Sequence, residues 1–94
     1  MSFAELVQAD RRLMILRALG ATAGFGANRA LIRQFLDSEG HAVSRDLVDA
    51  EVTWLAEMGC VSLHEDAVKL TARGDDVATG RSKLPGVRIP QPGE

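Results

Sequence analysis

The chain has a single cysteine, Cys60, no tyrosine, and no apolar run of membrane-spanning length among its 94 residues. One cysteine excludes an intramolecular disulfide and a multi-cysteine metal cage, and it suits a reducing compartment. A membrane helix needs about 20 apolar residues, and the amino-terminal stretch lacks the basic start and apolar core of a signal peptide. Because a chain of this length forms one hydrophobic core, we expect one cytoplasmic domain that makes no contact with a membrane.

Residue patterns of catalytic and metal sites are also missing. His41 and His64 have no further ligands at metal-site spacing, whereas zinc sites usually take three or four. The glycines of residues 20–26 do not follow a strand and lack the spacing of a phosphate-binding loop. No Ser-His-Asp set, Cys-His set or pair of catalytic carboxylates can be assembled. The sequence therefore predicts no enzyme, cofactor, metal ion or small-molecule substrate.

The formal net charge of −2 conceals a strong segregation of charge along the chain. Residues 1–33 carry five arginines and two acids, residues 34–66 carry eight acids and one arginine, and residues 67–94 carry five bases and three acids. Nucleic-acid binding depends on local basic surface rather than on net charge. The basic ends therefore suit contact with a polyanion, and a solvated helix surface is the alternative for the arginines of the first third.

Apolar periodicity and capping residues predict three helices, a β-hairpin and a short closing helix. The apolar stripe of the first helix begins at Leu6, and the apolar face of the second begins at Leu31. Ser44 is the expected N-cap of the third helix, and Gly59 is its expected end. The glycine-rich residues 20–27 predict a loop, because glycine is costly inside a helix. The predicted helices cover residues 2–19, 28–38, 44–58 and 71–78, and the hairpin covers residues 60–70.

The last segment of the chain differs from the rest in composition. Residues 81–94 hold all three prolines and two glycines and show little periodicity. This composition predicts a flexible tail, which Arg81, Lys83 and Arg88 make basic. We therefore expect a folded domain of residues 1–80, followed by a flexible basic tail of residues 81–94.

Two segments resemble winged helix-turn-helix proteins. SRDLVDAEVTWLAEMGCV, which begins at Ser44, is similar to the third helix of that fold running into the first wing strand. VKLTARGDDVATG, which begins at Val68, is similar to the second wing strand and the closing helix. Regulators of the ArsR and MarR types carry similar segments, as do small winged-helix proteins of Mu-like phages and prophages. The resemblance implies a mainly α fold with a small β-hairpin, made of three helices, a two-stranded wing and a short closing helix.

The resemblance also implies a DNA-binding transcriptional regulator that forms a homodimer, because regulators of this fold commonly pair to contact two half-sites. The third helix would then enter the major groove of double-stranded DNA, where its acids Asp46 and Asp49 approach phosphates unfavourably. The alternative is a phage-derived module whose acidic third helix binds a protein instead of DNA. The candidate contact residues for either partner are Arg29, Arg33, Ser44, Arg45, Asp46, Asp49, Thr53, Lys69, Arg81 and Lys83.

Three further side chains are assigned from their positions. Glu51 falls within or beside the apolar face of the third helix, so we expect it to pair with an arginine of the first or second helix. Trp54 is either an interface anchor or a partly buried core residue. For Cys60 we expect burial as a small hydrophobic residue rather than a reactive thiol.

Overall fold

Four α-helices and a three-stranded antiparallel sheet make up the computed structural model, which describes residues 1–94. A single 3-10 turn at Ala23–Phe25 precedes the first strand. No helix has both the length and the apolarity that are needed to cross a membrane. In chain order the elements are α1 (Phe3–Gly20), β1 (Gly26–Asn28), α2 (Arg29–Ser38), α3 (Arg45–Glu57), β2 (Val61–His64), β3 (Ala67–Leu70) and α4 (Ala72–Ala78).

The helices begin where the capping residues predict. The Ser2 side chain accepts a hydrogen bond from the backbone N–H of Glu5, whose carboxylate binds back to the Ser2 backbone N–H. Asn28, Ser44 and Thr71 likewise accept hydrogen bonds from backbone N–H groups in the first turns of α2, α3 and α4. These oxygens satisfy N–H groups that have no partner within the helix, which fixes the four starting points.

The sheet contains one strand more than the predicted hairpin. Residues 20–27 were expected to form a loop, but β1 pairs with β3 in antiparallel register, and the strand order is β1-β3-β2. Gly26 lies opposite Lys69, and a Cβ at Gly26 would approach Lys69 Cγ to 3.1 Å. Gly26 therefore permits a close approach of β1 to β3. Because glycine has a low strand propensity, the sequence does not indicate this pairing.

The hydrophobic core contains sixteen buried residues from the four helices, β2, β3, the connection after α3 and the C-terminal segment. Leu13, Val52 and Leu55 have no exposed surface, as their places in the apolar stripes predict. Two positions of the predicted apolar stripes are not buried in the structure. Leu6 is 51% exposed, and Leu31 is 49% exposed. Each lies in the amino-terminal part of its helix.

The segment after α4 lies against α1 in the structure, where the sequence predicts a loose tail. Val87 is buried in the core, and the backbone N–H of Arg88 donates to the carbonyl of Ala9. The Arg88 guanidinium also donates to Asp10 at 2.7 Å and pairs with Glu94. Glu94 in turn pairs with Arg17 of α1, so an apolar side chain and two ion pairs to α1 hold residues 87–94 to the helix, although the proline-rich composition indicates no such contact.

Candidate functional site

An open groove of about 610 Å³ runs between α2 and the start of α3. Four of the ten candidate contact residues, Arg29, Arg33, Ser44 and Arg45, line it. Its wall also includes Asp37, the one acid that lines the groove. All four are among the contact residues that the sequence predicts, and the fold brings them to one surface.

Helix geometry and capping explain why the four candidate side chains meet. Arg29 and Arg33 are four residues apart on α2, so they share one face of that helix. Ser44 caps α3, and Arg45 is the first residue of that helix. The Nε of Arg33 donates to the carbonyl of Val43 at 3.0 Å, which ties α2 to the connection before α3.

Arg33 and Arg45 are the groove cations without an acidic partner. Both side chains are exposed, and neither makes an ion pair within the chain. Arg45 stands at the amino-terminal end of α3, where the helix dipole already favours negative charge. This end of the groove is therefore suited to an anionic group such as a phosphate or a carboxylate.

Arg29 is occupied by acids from two other elements. Its Nε lies 3.1 Å from Asp49 Oδ1, its Nη1 lies 3.7 Å from Asp66 Oδ1, and it donates to the carbonyl of Glu65 at 2.9 Å. The same Asp49 Oδ1 has no hydrogen-bond partner of good geometry, so its contact with Arg29 is an ion pair without a well-directed hydrogen bond. Arg29 thus joins α2, α3 and the β2–β3 turn, and most of its charge is neutralised.

The other candidate residues do not line the groove. Asp46 and Thr53 are exposed on α3, and Lys69 is exposed on β3 opposite Ser62. Arg81 forms ion pairs with Asp75 and Asp76, the two acids of α4. Lys83 is exposed and makes no ion pair. The basic residues after α4 are therefore separate from the groove.

Negative charge dominates the exposed face of α3 and the adjoining hairpin turn. Asp46, Asp49 and Glu57 project from α3, and Glu65 and Asp66 form the turn between β2 and β3. Only Asp49 and Asp66 in this group have a basic partner, which for both is Arg29. The groove and the α3 face together form a surface of mixed charge.

A buried ion-pair cluster lies on the other side of α3. Glu51 accepts hydrogen bonds from Arg11 and Arg12, each at 3.0 Å, which confirms that it pairs with arginines of the first helix. The guanidinium of Arg12 also lies 3.8 Å from the centroid of the Trp54 ring and donates to the carbonyl of Gly86. Trp54 is therefore half-buried within an internal cluster rather than free to anchor a partner.

Asp10 is the centre of a second polar cluster, on the outer face of α1. It lies 2.7 Å from His41 Nε2 and 2.7 Å from Arg88 Nε. Burial alone would raise the pKa of Asp10, but the hydrogen bonds from His41 and Arg88 outweigh it and lower the pKa below its usual value. This cluster connects α1 with the connection between α2 and α3 and with the C-terminal segment.

Cys60 and His41 are buried, whereas His64 is exposed and lies 3.1 Å from the Ser62 hydroxyl. Cys60 is fully buried, as predicted, and burial raises the pKa of its thiol. His41 is engaged by Asp10, and no group of three His, Cys, Asp or Glu side chains converges as around a metal ion.

The sequence did not indicate three participants in the groove region. Asp37 and Val43 line the groove, and Glu65 holds Arg29 through its backbone carbonyl. Arg29 itself is only 16% exposed at the start of α2. Its acidic partners come from distant parts of the chain, so local spacing does not reveal them.

Comparison with known proteins finds relatives but no family model and no solved structure that matches. The protein called "Uncharacterized protein gp26" of Escherichia phage Mu is 41% identical over 92 residues, covering 94% of this chain and 95% of the phage protein. An "Uncharacterized protein" of Haemophilus influenzae is 46% identical over 63 residues, covering 67% of this chain and 61% of that protein.

Proposed function

We propose that this chain, which belongs to the family of the phage Mu protein gp26, is a winged-helix protein that binds DNA. The family membership confirms the predicted likeness to proteins of Mu-like phages. The element order of helix, strand, two helices, hairpin and helix supports the winged-helix assignment. In such proteins the helix before the hairpin enters the major groove, and the hairpin contacts the adjoining backbone. That helix is α3, and that hairpin is β2–β3.

The convergence of Arg33, Arg45 and the capped start of α3 at one groove is the observation that carries the proposal. Phosphates bind to exposed arginines and to helix amino-termini, and such contacts fix the position of a protein on a duplex. The two unpaired guanidiniums are the proposed phosphate contacts. Ser44 keeps the start of α3 in place between them.

The acids of α3 define what kind of DNA contact fits. Asp46 and Asp49 lie on the face that would meet base edges, and a carboxylate there is favourable only toward the cytosine N4 amino group. Against other bases and against phosphates they oppose binding. We therefore expect modest affinity that depends on few phosphates and rises when an acid of α3 is removed.

Charge reversal at Asp46 tests the proposal. Asp46→Lys places a cation beside Arg45, so its affinity for a labelled duplex, measured by fluorescence anisotropy at low salt, should exceed that of the wild type. Arg45→Ala should weaken binding. The matched control is Glu39→Lys, because Glu39 is an exposed acid that does not line the groove. If the wild type fails to bind duplex at low salt, DNA binding is excluded.

A protein partner is the second candidate, and one observation favours it. Arg29, the cation nearest to the hairpin turn, is already paired with Asp49 and Asp66, so Asp46, Glu57 and Glu65 remain as unpaired acids on the exposed surface. Such a surface complements a basic partner protein. In that case Asp46→Lys would abolish capture of the partner and would leave the melting temperature nearly unchanged, which is the opposite of its effect on duplex binding.

A further inference from the structure

A single side chain from another element holds the turn between β2 and β3. Glu65 and Asp66 form this turn, and Arg29 is the only residue that makes a hydrogen bond or an ion pair with either of them. Its Nη1 donates to the carbonyl of Glu65 at 2.9 Å and lies 3.7 Å from Asp66 Oδ1. The strand pairing ends at His64 and Ala67, so the ladder of the hairpin does not include the turn itself.

The backbone of the turn needs such a support. Glu65 has a φ of 57°, in the left-handed region that side chains other than those of asparagine and aspartate rarely adopt. Two-residue hairpin turns with a left-handed residue favour glycine, asparagine or aspartate there. A residue in this region persists only where the surrounding structure fixes it. The hydrogen bond from Arg29 fixes the carbonyl of the very residue whose conformation is unfavourable.

The strand order brings Arg29 to the turn. β1 ends at Asn28, which lies opposite Ala67, the first residue after the turn. Because α2 begins at the next residue, the side chain of Arg29 starts beside the turn. The Nε of the same guanidinium lies 3.1 Å from Asp49 Oδ1 on α3. A guanidinium is planar and rigid, so contacts through its Nε and Nη1 fix the turn relative to the exposed face of α3.

We propose that Arg29 is a positioning residue, which holds the β2–β3 turn beside α3 and makes no contact with a bound partner. Its side chain is only 16% exposed, whereas those of Asp49 and Asp66 are 48% and 61% exposed. Arg29 thereby neutralises two acids of the surface that would face a duplex, and it differs in this from Arg33, which lines the same groove without an acidic partner. The expected effect on duplex binding rests on the proposed function, and the expected effect on the turn does not.

Backbone order in the free protein tests the effect on the turn. In Arg29→Gln the NMR order parameters of the Glu65 and Asp66 amides should fall from about 0.85, the value of a rigid backbone, to below about 0.6. Arg33→Gln is the matched control, because it makes the same change four residues along α2 and should leave both amides rigid. The amide of buried Val68 should stay rigid in both variants. A rigid turn in Arg29→Gln overturns the proposal, and so does mobility that extends to Val68.

Duplex binding separates positioning from contact. Arg29→Gln leaves Asp49 and Asp66 without a cation, so affinity for a labelled duplex at low salt should fall about fivefold, the effect of one unit charge at about 4 Å in water. The slope of log K against log salt should stay that of the wild type, whereas Arg33→Gln should make it shallower by about 0.9. A slope that Arg29→Gln also makes shallower by about 0.9 identifies Arg29 as a phosphate contact and overturns the proposal. A wild type that binds no duplex removes the proposed function, and the order of the turn then decides the role of Arg29 by itself.

Discussion

Glu51 is the only carboxylate in the chain that is almost completely removed from water, with 2% of its surface exposed. Two arginines of α1, Arg11 and Arg12, donate to its two oxygens. Arg12 is itself buried, and its guanidinium also lies over the Trp54 ring and donates to the carbonyl of Gly86. A buried charge is tolerated only when it is paired and hydrogen-bonded, so this cluster joins α1, α3 and the C-terminal segment in one arrangement.

Removal of the Glu51 charge should destabilise the fold strongly. Glu51→Gln leaves two arginines in a low-dielectric site with no countercharge, and loss of one partner of a buried pair typically costs about 3 to 5 kcal/mol. Urea denaturation followed by circular dichroism measures the change. Glu57→Gln is the matched control, because it makes the same chemical change at an exposed, unpaired position of α3, where a loss below about 0.5 kcal/mol is expected. Equal stability of the two variants would mean that the cluster contributes nothing.

The sequence predicted part of this cluster and missed the rest for a physical reason. Glu51 lies on the apolar side of α3, so helical periodicity alone indicates that it must be buried and paired. Arg12, by contrast, is as polar as Arg45, and only the packing of α1 against α3 shows that one is buried and the other exposed. Long-range partners of a charged residue are a property of the tertiary fold.

Among the elements, the helices were predicted within a residue or two at each end, because caps and apolar periodicity act locally. Strand β1 was not predicted, because its residues Gly26, Ala27 and Asn28 have low strand propensity. Its pairing partner β3 also lies far along the chain. The packing of the C-terminal segment was missed as well. Its contacts rest on Val87 and Arg88, two residues in a segment whose prolines and glycines indicate mobility.

The last residues of the C-terminal segment should be released from α1 in acid, because Glu94 pairs with Arg17 of that helix. The hydrogen bond from Arg88, followed by one from the Gln91 backbone, lowers the pKa of Glu94 from 4.5 to about 2. A carboxylate with a depressed pKa stabilises its contacts fully above its ordinary pKa, and it loses that contribution as the pH falls toward the folded value. Residues 89–94 should therefore become mobile as the pH falls from about 4.5 to about 2, which heteronuclear NOE measurements of their amides report.

Arg88 contributes twice to this attachment, because it pairs with Asp10 of α1 and it also holds Glu94, which pairs with Arg17 of α1. Arg88→Ala should make residues 89–94 mobile even at neutral pH. Arg81→Ala is the control, since Arg81 pairs only with α4, and it should leave those amides unchanged. Rigid amides in Arg88→Ala at neutral pH would show that Val87, the backbone contacts and the Arg17–Glu94 pair suffice without Arg88.

At the scale of the whole molecule, the fold neutralises most of the positive charge that the sequence concentrates in its first third. Arg11 and Arg12 form ion pairs with Glu51, and Arg17 forms an ion pair with Glu94. Arg29 is used by acids of α3 and the hairpin turn. Charge segregation along the chain thus becomes ion pairing between segments. Only Arg33 remains unpaired among these arginines, and Arg45 of the acidic middle third joins it at the groove.

The salt dependence of duplex binding tests the proposed use of these two cations most directly. Each phosphate neutralised contributes about −0.9 to the slope of log K against log salt, so Arg33→Ala with Arg45→Ala should make the slope shallower by about 1.8. Arg81→Ala with Lys83→Ala removes the same charge outside the groove and should leave the slope unchanged. Fluorescence anisotropy over a series of salt concentrations gives both slopes. A wild type that binds no duplex at low salt, or equal slopes for the two double variants, would contradict DNA binding through the groove between α2 and α3.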